Sequence, residues 1–436
     1  MRVSGRTAAT IAASLEQQLH ARSRGPGEAL PTVRDLAATL RVSPATVAAA
    51  YKLLRTRGLV AGRGRGGTRV AGGPVAPAHP AAPSVPDGAV DLATGNPDPL
   101  LLPAVGPALH AIEDDVRLYG DQPETGGLRA FAGAEFEADG VPARSVAVLS
   151  GAMDAIERVL REHLRPGDAI AIEDPSFPGL IDLISASGYA AVPFGTDDEG
   201  PLPDEVRAAA AGGCRAIITT PRAQNPTGAA VSAARAPELR RILRGFPEML
   251  LIENDYAAPV AGAPFHTLRA DARSRWAVIR STSKFLGPDL RVAVMAGDDL
   301  TVSRVRGRQA LGARWVSHIL QQLALALWSD PSSGRRLARA GEIYAQRRTA
   351  ALAALREHGI EARGASGFNI WIPLRDEAGV VRALAERGWA VAAGERFRIR
   401  SAPGIRVTIS TLQPADAGRF AGDLAAALHP RMAAFA

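Results

Sequence analysis

From Thr7 to Arg22, apolar residues recur at Ile11, Leu15 and Leu19, the spacing of one helical face. Pro26-Gly27 breaks that pattern. Thr32 is placed to cap a second helix over Val33 to Leu40, with Leu36 and Leu40 inward. After Arg41-Val42, Ser43 caps a third helix that opens on Pro44, turns Val47, Tyr51 and Leu54 inward, and ends near Arg57-Gly58. Leu59 to Ala61 and Thr68 to Val70 flank a glycine- and arginine-rich tip and read as a hairpin. Residues 73–90 are dense in Pro and Ala, lack periodicity, and read as a linker. From residue 91 onward the pattern changes. Strand-like runs (Ser145 to Leu149, Ala169 to Glu173, Ala190 to Phe194) alternate with helical ones (Ala152 to Leu164, Gly179 to Ser187). Further apolar runs follow at Ala216 to Thr220, Met249 to Glu253, Trp276 to Ser281 and Val292 to Ala296. Such alternation predicts an α/β body on a mostly parallel sheet, with ligands beyond the carboxyl ends of the strands.

Charge separates the two parts. Residues 1–72 hold twelve basic residues against Glu16, Glu28 and Asp35, a surplus larger than the net +7 of all 436 residues. A basic module of two helices and a short turn, with a hairpin behind, predicts a helix-turn-helix DNA reader. No run is apolar enough to span a membrane and no secretory leader is read. One cysteine, Cys214, fits a reducing cytoplasm, and no Cys/His cluster has zinc spacing.

Lysine usage singles out one stretch. Among 51 basic residues only Lys52 and Lys284 are lysines. Arginine replaces lysine as a surface charge, but a guanidinium forms no Schiff base. Ser281-x-Ser283-Lys284, with Arg291 seven residues on, therefore marks candidate amine chemistry. Around it lie Ser150-Gly151-Ala152-Met153 at a strand-to-helix turn, either a phosphate seat or a plain helix cap. Asn225-Pro226-Thr227-Gly228 also follows a strand. Arg406, between apolar neighbours on a strand, either meets a carboxylate or lies on a solvated face.

Leu30-Pro31-x-Val33-Arg34-Asp35-Leu36-Ala37, Val42-Ser43-x-x-Thr46-Val47-x-x-Ala50-Tyr51, Gly58-Leu59-Val60 and Gly67-Thr68 resemble the GntR-type winged helix-turn-helix. That resemblance implies that Arg34, Ser43, Ala45 and Thr46 face DNA, with Arg63 and Arg65 on the wing. The Lys284 segment and Asn-Pro-Thr-Gly resemble fold-type I aminotransferases, which use pyridoxal 5'-phosphate (PLP). By that resemblance Lys284 bonds the cofactor aldehyde as an internal aldimine. Gly151, Ala152, Met153, Ser281, Ser283 and Arg291 hold its phosphate, Asn225 and Tyr256 its phenolic oxygen, and Phe177 stacks on its ring. Tyr119 reaches the site of the other subunit of a homodimer, and Arg406 holds an effector carboxylate.

Glu253-Asn254-Asp255-Tyr256 departs from the usual Glu-Asp-Asp-Tyr of these relatives. Side chains two apart share a strand face, so Asn254 and Tyr256 face the cofactor and Asp255 points away, unless a bulge brings Asp255 in. The whole chain resembles the MocR subfamily of GntR-type regulators, and three stretches are most similar to its regulators of vitamin B6 metabolism. The resemblance implies a cytoplasmic repressor that binds double-stranded operator DNA and responds to PLP. An active aminotransferase tethered to DNA, and a DNA-binding dimer whose body is only a scaffold, are the alternatives.

Overall fold

The structure is a computed structural model and describes residues 3–20, 28–56, 60–62, 67–70, 85–112, 116–271 and 273–428. Arg63, Arg65, Arg57-Gly58 and most of the 73–90 linker lie outside the described residues. The chain divides into two compact units: Met1–Pro80 with Arg165–Asp168 and Asp182–Ala190, and Ala81–Leu164 with Ala169–Ile181 and Ala191–Ala436.

In the first unit, helices α1 (Ala8–His20), α2 (Val33–Leu40) and α3 (Pro44–Thr56) precede an antiparallel pair, β1 (Val60–Gly62) and β2 (Thr68–Val70). Thr32 caps α2, taking the Asp35 N–H at 3.2 Å and donating its own hydroxyl to the Asp35 carboxylate at 2.7 Å. Ser43 takes the Thr46 N–H at 3.1 Å, which starts α3 one turn later. The apolar periods of the three helices meet in one small core containing Ile11, Leu15, Leu36, Val47, Tyr51 and Leu54. Tyr51 is a core residue, with its hydroxyl on the Pro31 carbonyl at 2.7 Å.

The larger unit contains β3 (Val90–Leu92), α4 (Val105–Leu109), α5 (Gly126–Ala138), β4 (Ser145–Leu149), α6 (Ala152–His163), β5 (Ala169–Asp174), α7 (Pro178–Ala186), β6 (Ala190–Asp197), β7 (Gly200–Pro201), α8 (Pro203–Ala211), β8 (Ala216–Thr219), α9 (Arg235–Arg244), β9 (Leu250–Asp255), β10 (Trp276–Ser281), β11 (Ala293–Gly297), α10 (Asp299–Ala310), α11 (His318–Ser329), α12 (Pro331–Glu357), β12 (Asn369–Pro373), α13 (Glu377–Ala385), β13 (Trp389–Ala393), β14 (Gly404–Thr408) and α14 (Ala417–Leu428). α7 and the start of β6 cross the division given above.

Eight strands form one sheet in the order β4-β11-β10-β9-β8-β5-β6-β7. β5, β8, β9 and β10 pair in parallel, and β11 runs against both β10 and β4. The carboxyl ends of β4, β5, β8, β9 and β10 therefore share one edge. β4, β5, β8, β9, β10 and β11 are buried on both faces almost throughout, which explains their near-continuous apolar runs. A second sheet, β12-β14-β13-β3, carries the C-terminal part. α6 shows why its sequence is helical: Asp154 lies in the first turn, Arg161 and His163 in the last, and Ala155, Ile156, Val159 and Leu160 make one buried stripe.

Candidate functional site

Lys284 is aimed inward by the loop that follows β10. Thr282 donates both its N–H (3.1 Å) and its hydroxyl (2.9 Å) to the Val292 carbonyl. The N–H groups of Phe285 and Leu286 then fold back onto the Thr282 carbonyl. Phe285 is wholly buried, edge-on to Trp328 at 5.0 Å between ring centroids. Fixed on both sides, Lys284 donates from Nζ to the Gly95 carbonyl at 2.7 Å. Burial, and then the charge of Arg406, pull its amine down to about 8.

Arg406 lies on β14 and is buried, not on a solvated face. It donates to Asn225 Oδ1 at 3.2 Å and to the Ala93 carbonyl, and it covers the Phe397 ring at 4.8 Å. Its Nε has no partner among the described residues. Burial lowers this guanidinium to about 10. Gly95 packs against it: a Cβ there would stand 3.1 Å from the guanidinium, and φ is +72°, so the position suits only glycine. Asn225 is held by its neighbours. Gln224 donates to Glu173 at 3.2 Å and to the Pro175 carbonyl at 2.8 Å, and accepts from Thr227. Burial raises the Glu173 carboxyl to about 7. The Tyr256 hydroxyl donates to the Ala223 carbonyl at 2.5 Å. Lys284, Asn225, Tyr256 and Arg406 are thus joined through short contacts beyond the strand ends.

Asp255 stands apart from that group. β9 and β10 pair regularly, with Asn254 opposite Ile279 and Asp255 opposite Arg280, so no bulge turns Asp255 inward. Its carboxylate is wholly buried and takes Arg222 Nε at 2.8 Å, Arg222 Nη2 at 2.9 Å and Arg280 Nε at 2.9 Å. Asp139 completes the network, bonded to both guanidiniums, and Arg280 covers Phe136 at 4.9 Å. The two guanidiniums outweigh burial and hold Asp255 below the usual carboxylate range. Asn254 points elsewhere, and its Oδ1 is buried without a partner among the described residues.

A cationic seat lies at the same sheet edge. Leu149 of β4 pairs with Ala293, and Ala293 pairs with Ser281, so the turn after β4 and the start of the Lys284 loop are neighbours. Gly151 opens α6 at φ +101° with no side-chain cap, which leaves the first N–H groups, those of Ala152 and Met153, for an anion. Arg291 donates to the Ser150 carbonyl at 3.2 Å, and a Cβ on Gly151 would come 2.6 Å from its guanidinium. The hydroxyls of Ser281 and Ser283 lie 3.0 Å apart.

Two residues lie outside this set. Phe177 is 40% exposed, just after β5. Tyr119 is 80% exposed, its ring against Trp315 at 5.6 Å and under Arg314 at 4.9 Å. In the first unit Arg34, Ser43 and Ala45 are exposed and Thr46 is half-buried, its hydroxyl 2.8 Å from that of Ser43. Sequence reasoning missed the roles of Arg222, Arg280 and Asp139. Arg222 stands three residues before Asn225 in the same loop, which was a usable signal. Asp139 has no motif around it.

A model of the aminotransferase class I and II family matches residues 87–424, and one of the bacterial regulatory proteins, gntR family, matches residues 7–70. The chain is 40% identical to the vitamin B6 salvage pathway transcriptional repressor PtsJ of Salmonella typhimurium, across 98% of this chain and 100% of that one. It is 26% identical to the aminotransferase tdiD of Emericella nidulans, over 53% of this chain and 58% of that one. Among solved structures, the α-aminoadipate aminotransferase LysN of Thermus thermophilus superposes with a TM-score of 0.69 at 23% identity, over 79% of this chain and 93% of that one. The kynurenine aminotransferase of Pyrococcus horikoshii gives 0.71 at 20% identity, over 79% and 91%. These likenesses establish the fold of the larger unit.

Proposed function

The chain belongs to the aminotransferase class I and II family and carries a gntR-family module ahead of that body, the MocR-like arrangement, and we propose that it is a PLP-responsive transcription repressor that binds operator DNA as a homodimer. The observation that carries this reading is the half-buried amine of Lys284, held on the Gly95 carbonyl at 2.7 Å and depressed first by burial and then by Arg406, in a chain with one other lysine. The relative that matches along the full length is named a repressor of vitamin B6 salvage, which supports control of that pathway or of a neighbouring operon.

The residues present fit PLP. Lys284 offers the amine, Asn225 and Tyr256 offer polar groups beside it, and Asn254 offers an unmet buried acceptor. Gly151, Arg291 and the α6 N-terminus offer a seat for a doubly charged phosphate. When bound, PLP supplies an electrophilic carbon and an electron-withdrawing ring.

The chain's own residues favour holding over turnover. At neutral pH about a tenth of the Lys284 amine is free of its proton, against well under a thousandth for an ordinary lysine. The Gly95 carbonyl holds that amine in place. Asn254 brings no charge to stabilise a protonated pyridine nitrogen, and Asp255 is committed to Arg222 and Arg280. Exposed Leu118, Tyr119, Leu109 and Ile319 in the larger unit support burial against a second copy. Exposed Arg34 on α2, with Ser43 and Ala45 at the start of α3, supports DNA contact there.

Fluorescence anisotropy of the full-length protein on the intergenic DNA beside its own gene tests the reading. PLP is expected to change the DNA affinity at least about fivefold, the scale of ordinary effector coupling. That response is expected to be absent in Lys284→Ala. Equal responses in both proteins, or none in the wild type, would refute it.

A further inference from the structure

The larger unit holds a second concave site that none of Lys284, Asn225, Tyr256 or Arg406 lines. It is a cleft of about 790 Å³ beside β6, α8 and β12. That size is typical of small-molecule sites, and so is a mostly apolar wall with a few polar groups.

Two carboxylates, Asp174 and Glu205, and two guanidiniums, Arg363 and Arg400, line it, and three of the four are already engaged. Asp174 is consumed by the N–H groups of Ile399 (3.0 Å), Arg400 (2.7 Å) and Ser401 (2.8 Å) and by the Ser401 hydroxyl (2.9 Å). Arg400 is paired with Glu205. Arg363 remains. It donates to the Thr196 carbonyl at 3.3 Å, and no carboxylate among the described residues lies within salt-bridge distance of it. Asp198 feels its charge, yet burial still raises that carboxyl above the usual range. The same Thr196 is 93% buried and its hydroxyl has no partner among the described residues. A guanidinium with spare N–H donors beside an unsatisfied hydroxyl is half of a carboxylate site. Trp371 and Ala208 line the same cleft and offer apolar surface.

We propose that this cleft binds a small organic carboxylate with an apolar body, its carboxylate on Arg363 and Thr196 and its body along Ala208 and Trp371. The cleft is tied to the Lys284 group. Asp174 holds the 399–401 loop, the Ser176 N–H donates to the Phe397 carbonyl at 2.7 Å, and Phe397 lies against Arg406. Trp371, along which the occupant lies, meets Phe397 at 6.4 Å between ring centroids, and Phe397 lies under Arg406 at 4.8 Å, so two contacts join the cleft to Arg406.

Isothermal titration calorimetry of the full-length chain with 3-phenylpropionate, hexanoate and 4-phenylbutyrate tests the proposal. None of these carries an amino or carbonyl group that reacts at Lys284. At least one is expected to bind saturably, and 3-phenylpropanol, which lacks the charge, at least about tenfold more weakly. Arg363→Gln is expected to weaken binding by about tenfold or more. Ala208→Phe, at an exposed position on α8 where folding is not at stake, is expected to abolish it. Absence of saturable binding by all three acids would overturn the proposal, as would wild-type affinity in either variant. Neither PLP nor DNA is present in the assay, so its failure leaves the proposed function untouched.

Discussion

The pH dependence of PLP uptake follows from the depressed amine of Lys284. With a midpoint at about 8, the proton-free fraction rises from about 3% at pH 6.5 to about 75% at pH 8.5, a gain of roughly 25-fold, and then levels off. An ordinary lysine would gain about 100-fold over the same interval and keep climbing to pH 10. The perturbation that probes the cause is Arg406→Gln. Burial is the larger cause and stays, whereas the cationic neighbour is removed, so the midpoint moves upward without returning to the ordinary lysine value. The assay is stopped-flow absorbance of apo-protein mixed with PLP. The Lys284→Ala variant serves as blank, and Nα-acetyl-lysine as the free-amine reference that corrects for the titration of PLP itself. A rate that climbs tenfold per pH unit up to pH 10 would refute the reasoning, because it is the behaviour of a solvated amine. A midpoint unmoved in Arg406→Gln would remove Arg406 from the explanation.

Asn254→Asp is expected to raise the slow conversion of bound PLP by amino donors at least about tenfold, since a carboxylate stabilises a protonated ring nitrogen; single-turnover absorbance with a panel of amino acids reads it, and steady turnover by the wild type at a comparable rate would favour a tethered enzyme instead. Asp255→Asn leaves two buried guanidiniums short of a counter-charge and is expected to cost about 3–5 kcal/mol, read as a lower urea midpoint; a loss under about 1 kcal/mol would show that Asp139 alone satisfies them.

Much of this was legible because the sequence is locally consistent. The runs at Ser145, Ala169, Ala216, Trp276 and Ala293 are strands, since residues buried on both faces leave an uninterrupted apolar signature. The caps at Thr32 and Ser43 are written in single side chains. Lys284 was conspicuous through composition and Arg406 through its strand neighbours. What could not be read depends on contacts far apart in the chain. Gly95 meets Lys284 across 189 positions, and Arg280 meets Asp139 across 141. Nothing local marks Asp139, and the Gly95 contact is made by a main-chain carbonyl that no side-chain pattern specifies. The alternative left open at Asn254-Asp255 turned on strand register, which is a property of the pairing with β10 and not of β9 alone. The 27-residue α12 and the strands β12 and β13 carry a weaker pattern because they mix polar and small residues with their buried positions.

The Gly95 carbonyl has a consequence for how news of a ligand leaves the site. Gly95 belongs to the first dozen described residues after the linker, directly behind β3. Ala93 just before it is tied to Arg406, and Asp98 just after it to Arg347 at 2.8 Å and, through its N–H, to the Tyr344 hydroxyl at 3.0 Å. Once the Lys284 amine is engaged elsewhere, the doorway segment of the body is left with an unmet acceptor next to a buried cation. The loop around Gly95, which follows the linker in the chain, is therefore where engagement of the Lys284 amine changes the hydrogen bonding of the main chain.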